Sequence, residues 1–234
     1  MSQCPGYYQC NLVVLPKSVA FDFLLFCERN PQPLPLLEVC EVGCTNPSAL
    51  CIAEADIRSD LPAYNVYREG KLEQTTTDIT DLYPSDGVAF LYGCSFSVDC
   101  VLAKNKIPQR SLELKRKIPI FRTNIKLREA GMFKLAYMVV TMRPVKSELV
   151  SKVTELTSQF PKAHGGPVHI GDPAAIGITD ITKPDWGDPV PINPGEIMIF
   201  HACGVSAQEA IINNNIPFAI THAPGQMFIT DTPI

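Results

Sequence analysis

The sequence predicts an α/β protein with mixed sheets and interleaved helices, folded as one compact unit of two subdomains. Segments in which apolar and polar residues alternate, typical of strands, are interleaved with segments whose apolar residues recur every three or four positions, typical of helices. The 234 residues suffice for one large domain or two small ones. A hydrophobic content of 46% and a charged content of 19% are typical of a globular chain rather than a disordered one.

Strands and helices are predicted along the whole chain. Alternating β-branched and aromatic residues indicate strands at 11–15, 64–68, 71–77, 118–125, 134–142, 196–201, 218–221 and 227–231, with short apolar segments at 36–42 and 88–92. Capping residues and apolar faces indicate helices at about 18–29, 97–105, 147–159, 174–178 and 206–213. The helix starts are indicated by Ser97, by the pair Asp172-Pro173, and by a capping box of Ser206 and Glu209.

A basic, loop-rich stretch after Asn105 is the predicted boundary between the subdomains. We expect residues 1–105 together with 195–234 to form the main α/β subdomain. Residues 106–194 are expected to form a second, inserted α+β subdomain.

Charge and hydropathy limit the classes of partner. The formal net charge of −4 does not favour nucleic-acid binding, and no apolar run approaches the roughly 20 residues that cross a bilayer. Between Lys104 and Arg128, nine Lys or Arg accompany a single acid, Glu113, so this stretch is either a solvated loop or an electropositive rim for an anionic substrate. The expected partner is a small molecule, with no nucleic acid and no membrane, and homo-oligomerisation is left open.

The nine cysteines are odd in number and include no CxxC pair. The first 30 residues do not show the pattern of a secretory signal. We therefore interpret the cysteines as reduced thiols in a reducing compartment and predict a cytoplasmic protein.

All four histidines lie after residue 160, two of them in the turn-rich loop His164–Pro173. The glycines of that loop let the backbone approach a ligand, and the helix start after Asp172 favours an anion. His169 in this loop and His222 in the loop Thr221–Gly225 titrate near neutrality and suit acid–base chemistry. The alternative is that Asp172 is only a helix cap and the histidines bond loop carbonyls. The histidine spacing matches no standard zinc pattern, so no metal is predicted.

Two further features could bind or attack a substrate. The turn Gly93–Ser97 resembles a nucleophile elbow only loosely, because it lacks the second glycine of G-x-S-x-G. Cys94 or Ser95 would be nucleophiles if a histidine came close, and otherwise the turn is a packing feature or a ligand-binding loop. Arg122 and Arg143 lie in or at the end of predicted strands, where each either clamps a substrate carboxylate or forms a structural ion pair.

Eleven short segments follow one another in a characteristic order. They are Pro5-Gly6-Tyr7, Phe21–Cys27, Pro35–Val39, Asp60-Leu61-Pro62, Thr77-Asp78-Ile79, Gly93–Ser97, Arg122-Thr123-Asn124, Met142-Arg143-Pro144, Pro167–Pro173, Ala202–Val205 and Ala219–Gly225. Together they resemble the D-glutamate cyclase family, whose microbial members were long called hydro-lyases. The resemblance covers nearly the whole chain, and it is the ordered set rather than any one segment that is specific.

The resemblance implies a hydro-lyase that converts D-glutamate into 5-oxo-D-proline and water, with no metal and no cofactor. It implies acid–base catalysis by His169 or His222, with Asp172 orienting His169 and a carboxylate clamp from Arg143 or Arg122. The remaining residues implied at the site are the catalytic candidates Cys94 and Ser95 and the substrate-binding candidates Gly93, Thr123, Asn124, Gly171, Thr221 and Gly225. Backbone N–H groups of residues 93–95, or of the helix after Asp172, would stabilise the oxyanion.

The chain departs from the family in two places. Only four residues precede Pro5, fewer than the family's usual lead-in, which leaves open whether the fold or site is complete. No role carries over to His201. Because the animal relatives are mitochondrial, a matrix location is expected if this chain is part of a longer animal precursor.

Two rival functions stay open from the sequence. One is a non-catalytic module that binds a small amino acid or carboxylate through its arginines and a helix N-terminus. The other is a dehydratase that acts on a different hydroxy acid.

Overall fold

The computed structural model describes residues 4–52 and 54–234 and confirms the α/β class. Within these residues the strands are β1 Tyr7–Pro16, β2 Leu36–Val39, β3 Tyr64–Arg68, β4 Lys71–Thr76, β5 Gly87–Gly93, β6 Ile120–Lys126, β7 Tyr137–Lys146, β8 His169–Ile170, β9 Glu196–Cys203, β10 Phe218–His222 and β11 Phe228–Pro233. The α-helices are α1 Lys17–Arg29, α2 Asp99–Lys104, α3 Arg110–Glu113, α4 Val150–Ser158 and α5 Val205–Asn213. Short 3-10 helices cover Ser95–Val98, Ser147–Leu149, Pro161–Ala163 and Pro173–Ile176.

The strands form two sheets, and every strand pair in the described chain is antiparallel. The larger sheet has the order β2-β5-β1-β10-β3-β4, and β11 pairs with β1 beside this path. Its longest ladder joins β1 to β5, from Cys10 opposite Gly93 to Pro16 opposite Gly87. The smaller sheet has the order β6-β7-β9-β8, and its longest ladder joins β7 to β9.

The main hydrophobic core lies between the two sheets, with α1 and α5 closing it. It contains Phe23 of α1, Phe90 of β5 and Phe200 of β9, all of them buried. Burying an aromatic side chain of this size contributes about 1.5–3 kcal/mol, so this cluster holds the sheets together. A second core, containing Leu12 and Leu91, covers the opposite face of the larger sheet.

The smaller sheet carries polar groups on its outer face, the face directed away from the main core. In β7, Val140 and Met142 belong to the main core, so Thr141 and Arg143 point to the other face. This alternation places a charged side chain on a face that the rest of the fold then partly covers.

Two helix-start predictions are wrong. Ser97 does not cap a helix, because its hydroxyl accepts the backbone N–H of Gln9 (2.9 Å) and α2 begins only at Asp99. Ser206 and Glu209 form no capping box, because the Ser206 hydroxyl accepts the backbone N–H of Val139 (2.9 Å) and Glu209 binds an arginine of β6. In each case a contact distant in sequence competes with the local cap.

The third helix-start prediction is confirmed. Asp172 accepts the N–H of Ala174 (3.0 Å), and Pro173 is the first residue of a short 3-10 helix. The division into subdomains stays a prediction. Strand β9, which that division assigned to the main part, pairs with β7 and β8 in the smaller sheet. Among the described residues, no helix is long and apolar enough to cross a membrane.

Candidate functional site

A cavity of about 590 Å³ opens where one end of the larger sheet meets the outer face of the smaller one. Its buried floor contains Gln9 of β1, Asp99 of α2 and Arg143 of β7. Residues 224–227, which connect β10 to β11, form one wall. Residues 109–112 and 115–118 line the outer part together with residues 186–188. The volume lies within the roughly 300–1,000 Å³ typical of small-molecule sites.

An ion pair lies on the floor of this cavity. The guanidinium of Arg143 donates to the carboxylate of Asp99 (Nη2 to Oδ1, 3.4 Å), and the two side chains are only 12% and 7% exposed. The same guanidinium donates to the hydroxyls of Thr141 (3.1 Å) and Ser95 (3.4 Å). At 3.4 Å the contact with Asp99 is long for a charge-assisted hydrogen bond, so the fork has capacity for an incoming carboxylate.

The close approach of two chain segments positions this pair. Gly93 ends β5, and the carbonyl oxygen of Lys162 lies 1.6 Å from where a Cβ on Gly93 would be. Only glycine fits there, because any other side chain would overlap that carbonyl. The Gly93 carbonyl accepts the side-chain amide of Asn11 (2.7 Å), and its N–H donates to Pro35 (3.0 Å). The turn that follows then brings Ser95 and Asp99 to Arg143.

Burial shifts the proton affinity of the floor residues. It raises the pKa of the Asp99 carboxyl, and the charge of Arg143 opposes this shift. Asp99 therefore holds a proton more readily than an ordinary aspartate does. Burial also raises the pKa of the Cys94 thiol to about 12, so Cys94 is protonated near neutral pH and is a weak nucleophile.

His222 lies on the other face of the larger sheet from Asn11. His222 lies two residues after Ile220 in β10, so it shares the sheet face of this buried residue of the second core. Its Nδ1 accepts the N–H of Leu12 (3.3 Å). Burial lowers the pKa of His222 to about 4. The neighbouring Thr221 hydroxyl donates to the His222 carbonyl (2.9 Å).

The loop after α4 places the other predicted histidine at the edge of the smaller sheet. His169 is half-buried in β8, with its Nε2 2.7 Å from the carbonyl oxygen of Asp172 and its ring 5.7 Å from that of Phe200. Asp172 thus touches His169 through its backbone, while its carboxylate caps the 3-10 helix. Gly171 beside them has a φ of 101° and donates its N–H to Met198 (2.8 Å). Of the two predicted His loops, only Thr221–Gly225 reaches the cavity, through Pro224 and Gly225.

Arg122 forms the structural ion pair that the sequence left open. Its guanidinium donates to both carboxylate oxygens of Glu209 (2.7 and 2.9 Å) and to Asp185 (2.5 Å), and it stacks 4.4 Å from the ring of Trp186. The Thr123 hydroxyl next to it donates to the Met138 carbonyl (2.6 Å). Arg122 is therefore already occupied by carboxylates of its own chain.

Asn124 and the buried histidines complete the set of candidate residues. Asn124 is exposed and packs against Gly177. His201 is buried beside Thr157 (Nε2 to Oγ1, 3.4 Å), and burial lowers its pKa. Burial also lowers the pKa of His164, to about 4. Within residues 4–52 and 54–234, no cluster of three or more His, Cys, Asp or Glu could hold a metal ion.

Asp99 and Gln9 are the site residues that sequence reasoning missed. Asp99 lies two positions after the Gly93–Ser97 turn and is the acid at the start of a helix whose next four residues are uncharged. That isolated charge is a usable signal, because a buried carboxylate needs a partner. Gln9 gives no comparable signal in the sequence.

Comparison with known proteins gives one family. A family model described as D-glutamate cyclase matches residues 88–231. Three relatives share the printed name "Putative hydro-lyase": Teth514_1597 of Thermoanaerobacter sp. (strain X514), GK2103 of Geobacillus kaustophilus and YcsI of Bacillus subtilis. They are 50%, 51% and 50% identical over 226 residues, which is 97% of this chain and 84%, 85% and 87% of theirs. A solved nitrogen repressor-like protein of Methanococcus jannaschii, MJ0159, gives a TM-score of 0.41 at 14% identity, over 90% of this chain and 80% of that one.

Replacing Arg122 by glutamine is expected to lower stability rather than to remove a substrate contact. The carboxylate of Glu209, whose side chain is 8% exposed, would lose its cationic partner, at a cost of about 1–3 kcal/mol in the free energy of unfolding. Urea denaturation followed by circular dichroism measures this loss. Lys183→Gln is the matched control, because its ion pair with Asp180 is exposed and should contribute less than about 1 kcal/mol. Equal, small losses in both variants would contradict the structural role.

Proposed function

The chain belongs to the D-glutamate cyclase family, and from that membership and the cavity we propose that it is a hydro-lyase converting D-glutamate into 5-oxo-D-proline and water. The observation that carries the proposal is the Arg143–Asp99 pair on the cavity floor. It combines a group that binds a carboxylate with a group that carries a proton. Ring closure of an amino acid that bears two carboxylates needs both.

The reaction requires two protons to move from nitrogen to oxygen. The α-ammonium must become an amine before its nitrogen can attack the γ-carboxyl carbon. The C–N bond then forms, one C–O bond breaks, and the nitrogen keeps one hydrogen in the lactam. Two protons that began on nitrogen leave with the departing oxygen as water. A residue that takes a proton from nitrogen and gives it to oxygen therefore assists both the attack of the amine and the departure of water.

Arg143 is proposed to bind the α-carboxylate. Its fork is held by the hydroxyls of Ser95 and Thr141, so little side-chain freedom remains to be lost when the substrate binds. Fixing this end of the substrate brings the amine and the γ-carbon into a near-attack arrangement, which lowers the barrier through proximity.

Asp99 is proposed as the proton carrier. Its carboxyl lies beside the guanidinium that holds the substrate, and burial raises its pKa towards the range useful for proton transfer. We assign the role to Asp99 because it lines the cavity, whereas in the described residues neither His169 nor His222 is part of the cavity lining. The acid–base roles of His169 and His222 stay predictions from the resemblance.

Arg143→Gln is expected to lower kcat/KM for D-glutamate by roughly 100-fold, because a misplaced substrate loses its near-attack geometry. Formation of 5-oxoproline by the purified protein, followed by mass spectrometry with D- and L-glutamate supplied separately, measures this. Arg128→Gln is the control, since Arg128 is an exposed arginine of the basic stretch outside the cavity lining.

A wild-type protein that D-glutamate stabilises thermally without forming product would instead be a binding module. Turnover of hydroxy acids alone would indicate the dehydratase.

The pH profile tests Asp99. As a base it must be ionised, so kcat/KM is low below its pKa and rises as pH passes through it. Burial places that rise above the range of an ordinary aspartate. Asp99→Asn should remove the rise and lower kcat by about 100-fold or more, while any limb caused by titration of the substrate itself persists. An unchanged rise in the variant would show that another group carries the proton.

A further inference from the structure

The cavity is larger than D-glutamate requires. About 590 Å³ lies in the range that holds drug-sized ligands, whereas glutamate has only about ten non-hydrogen atoms. Arg143 and Asp99 lie on the floor, so the remaining volume extends outward from these two residues. This extra volume is continuous with the site described above.

The outer part of the cavity has a chemistry of its own. Its walls include Leu112, Ile118 and Trp186, which offer an apolar surface. Its rim includes Lys115 and Lys117, both exposed. In the part of the chain that the structure describes, neither of these ammonium groups forms an ion pair.

Three other charged residues of the outer lining already form hydrogen bonds within the chain. Asp188 accepts the backbone N–H of Lys117 (2.7 Å), and Arg116 donates to the carbonyl of Pro189 (2.6 Å). Arg110 is bound by Glu196 (2.5 Å). The outer part is thus a chamber with an apolar wall, and its mouth carries the positive charges of Lys115, Arg116 and Lys117 against the single carboxylate of Asp188.

We propose that this outer chamber binds the γ-substituent of a γ-D-glutamyl amino acid, with its apolar side chain on the walls and its terminal carboxylate at Lys115 and Lys117. The proposal rests on the proposed function, since it uses the same floor and the same attack by the α-amine. It extends the substrate class from free D-glutamate to its γ-amides with apolar amino acids.

The chemistry balances in the same way as for the free acid. The α-amine attacks the γ-amide carbon, the lactam C–N bond forms, and the C–N bond to the substituent breaks. The attacking nitrogen gives up two protons, and the leaving nitrogen takes up two to depart as an ammonium group. No oxidant, metal or further reactant is needed, and Asp99 moves the protons as before.

The test compares two substrates that differ at one group. They are γ-D-glutamyl-phenylalanine and the corresponding phenylalaninamide, which lacks the terminal carboxylate. Release of free phenylalanine or its amide together with 5-oxoproline is followed by mass spectrometry. The wild-type protein is expected to turn over the acid with a kcat/KM about fivefold above that of the amide, as for a solvent-exposed charge interaction.

The double variant Lys115→Gln, Lys117→Gln is expected to bring that preference down to about one. The ratio is insensitive to the fraction of folded protein, because both substrates are assayed on the same sample. Lys71→Gln, an exposed lysine on β4 far along the larger sheet, is the control and should keep the wild-type preference.

Failure of the inference about γ-amides can be distinguished from failure of the proposed function. Turnover of D-glutamate without turnover of γ-D-glutamyl-phenylalanine would overturn the inference and leave the proposed function standing. Turnover of the peptide with equal preference for acid and amide would overturn the assignment of the two lysines. No product from either substrate would overturn the proposed function and the inference with it.

Discussion

The ion pair between Arg143 and Asp99 is the interaction on which the arrangement of the site depends. It joins elements attached to different sheets: β7 of the smaller sheet carries Arg143, and Asp99 begins α2, which follows the turn after β5 of the larger sheet. A buried charge is costly unless an opposite charge and hydrogen bonds compensate it, and removal of one partner from such a pair costs about 3–5 kcal/mol. The two sheets must therefore pack so that these two side chains meet, and the cavity lies at that point.

The same constraint explains the character of the cavity. The packed aromatic core fixes the relative positions of the sheets, and the glycine at the end of β5 lets Lys162 approach the turn. The pair then lies at the bottom of a mostly apolar chamber, where charges interact more strongly than in water. An ion pair that merely held the sheets together could be fully enclosed. This one lines the cavity, where a ligand can reach it.

Much of the fold follows from local sequence patterns. Helix α1 and the hairpin of β3 and β4 lie at their expected positions, because their periodicity and their turn residues act within a few positions. The site was only partly predictable. Arg122 and Arg143 have the same local appearance, but Arg122 meets Glu209, 87 positions away, whereas Arg143 faces the cavity. No periodicity encodes which sheet faces which, so the sequence offered two arginines for the proposed clamp and did not point to Asp99.

A crystal structure of the Asp99→Asn variant with D-glutamate would show which groups bind the substrate, because slowed turnover lets the substrate be seen. We expect the α-carboxylate of D-glutamate on the guanidinium of Arg143, with the amino group beside residue 99 and the γ-carboxyl directed towards the outer chamber. D-Glutamate bound instead at His169 and the helix after Asp172, with Arg143 unoccupied, would contradict it.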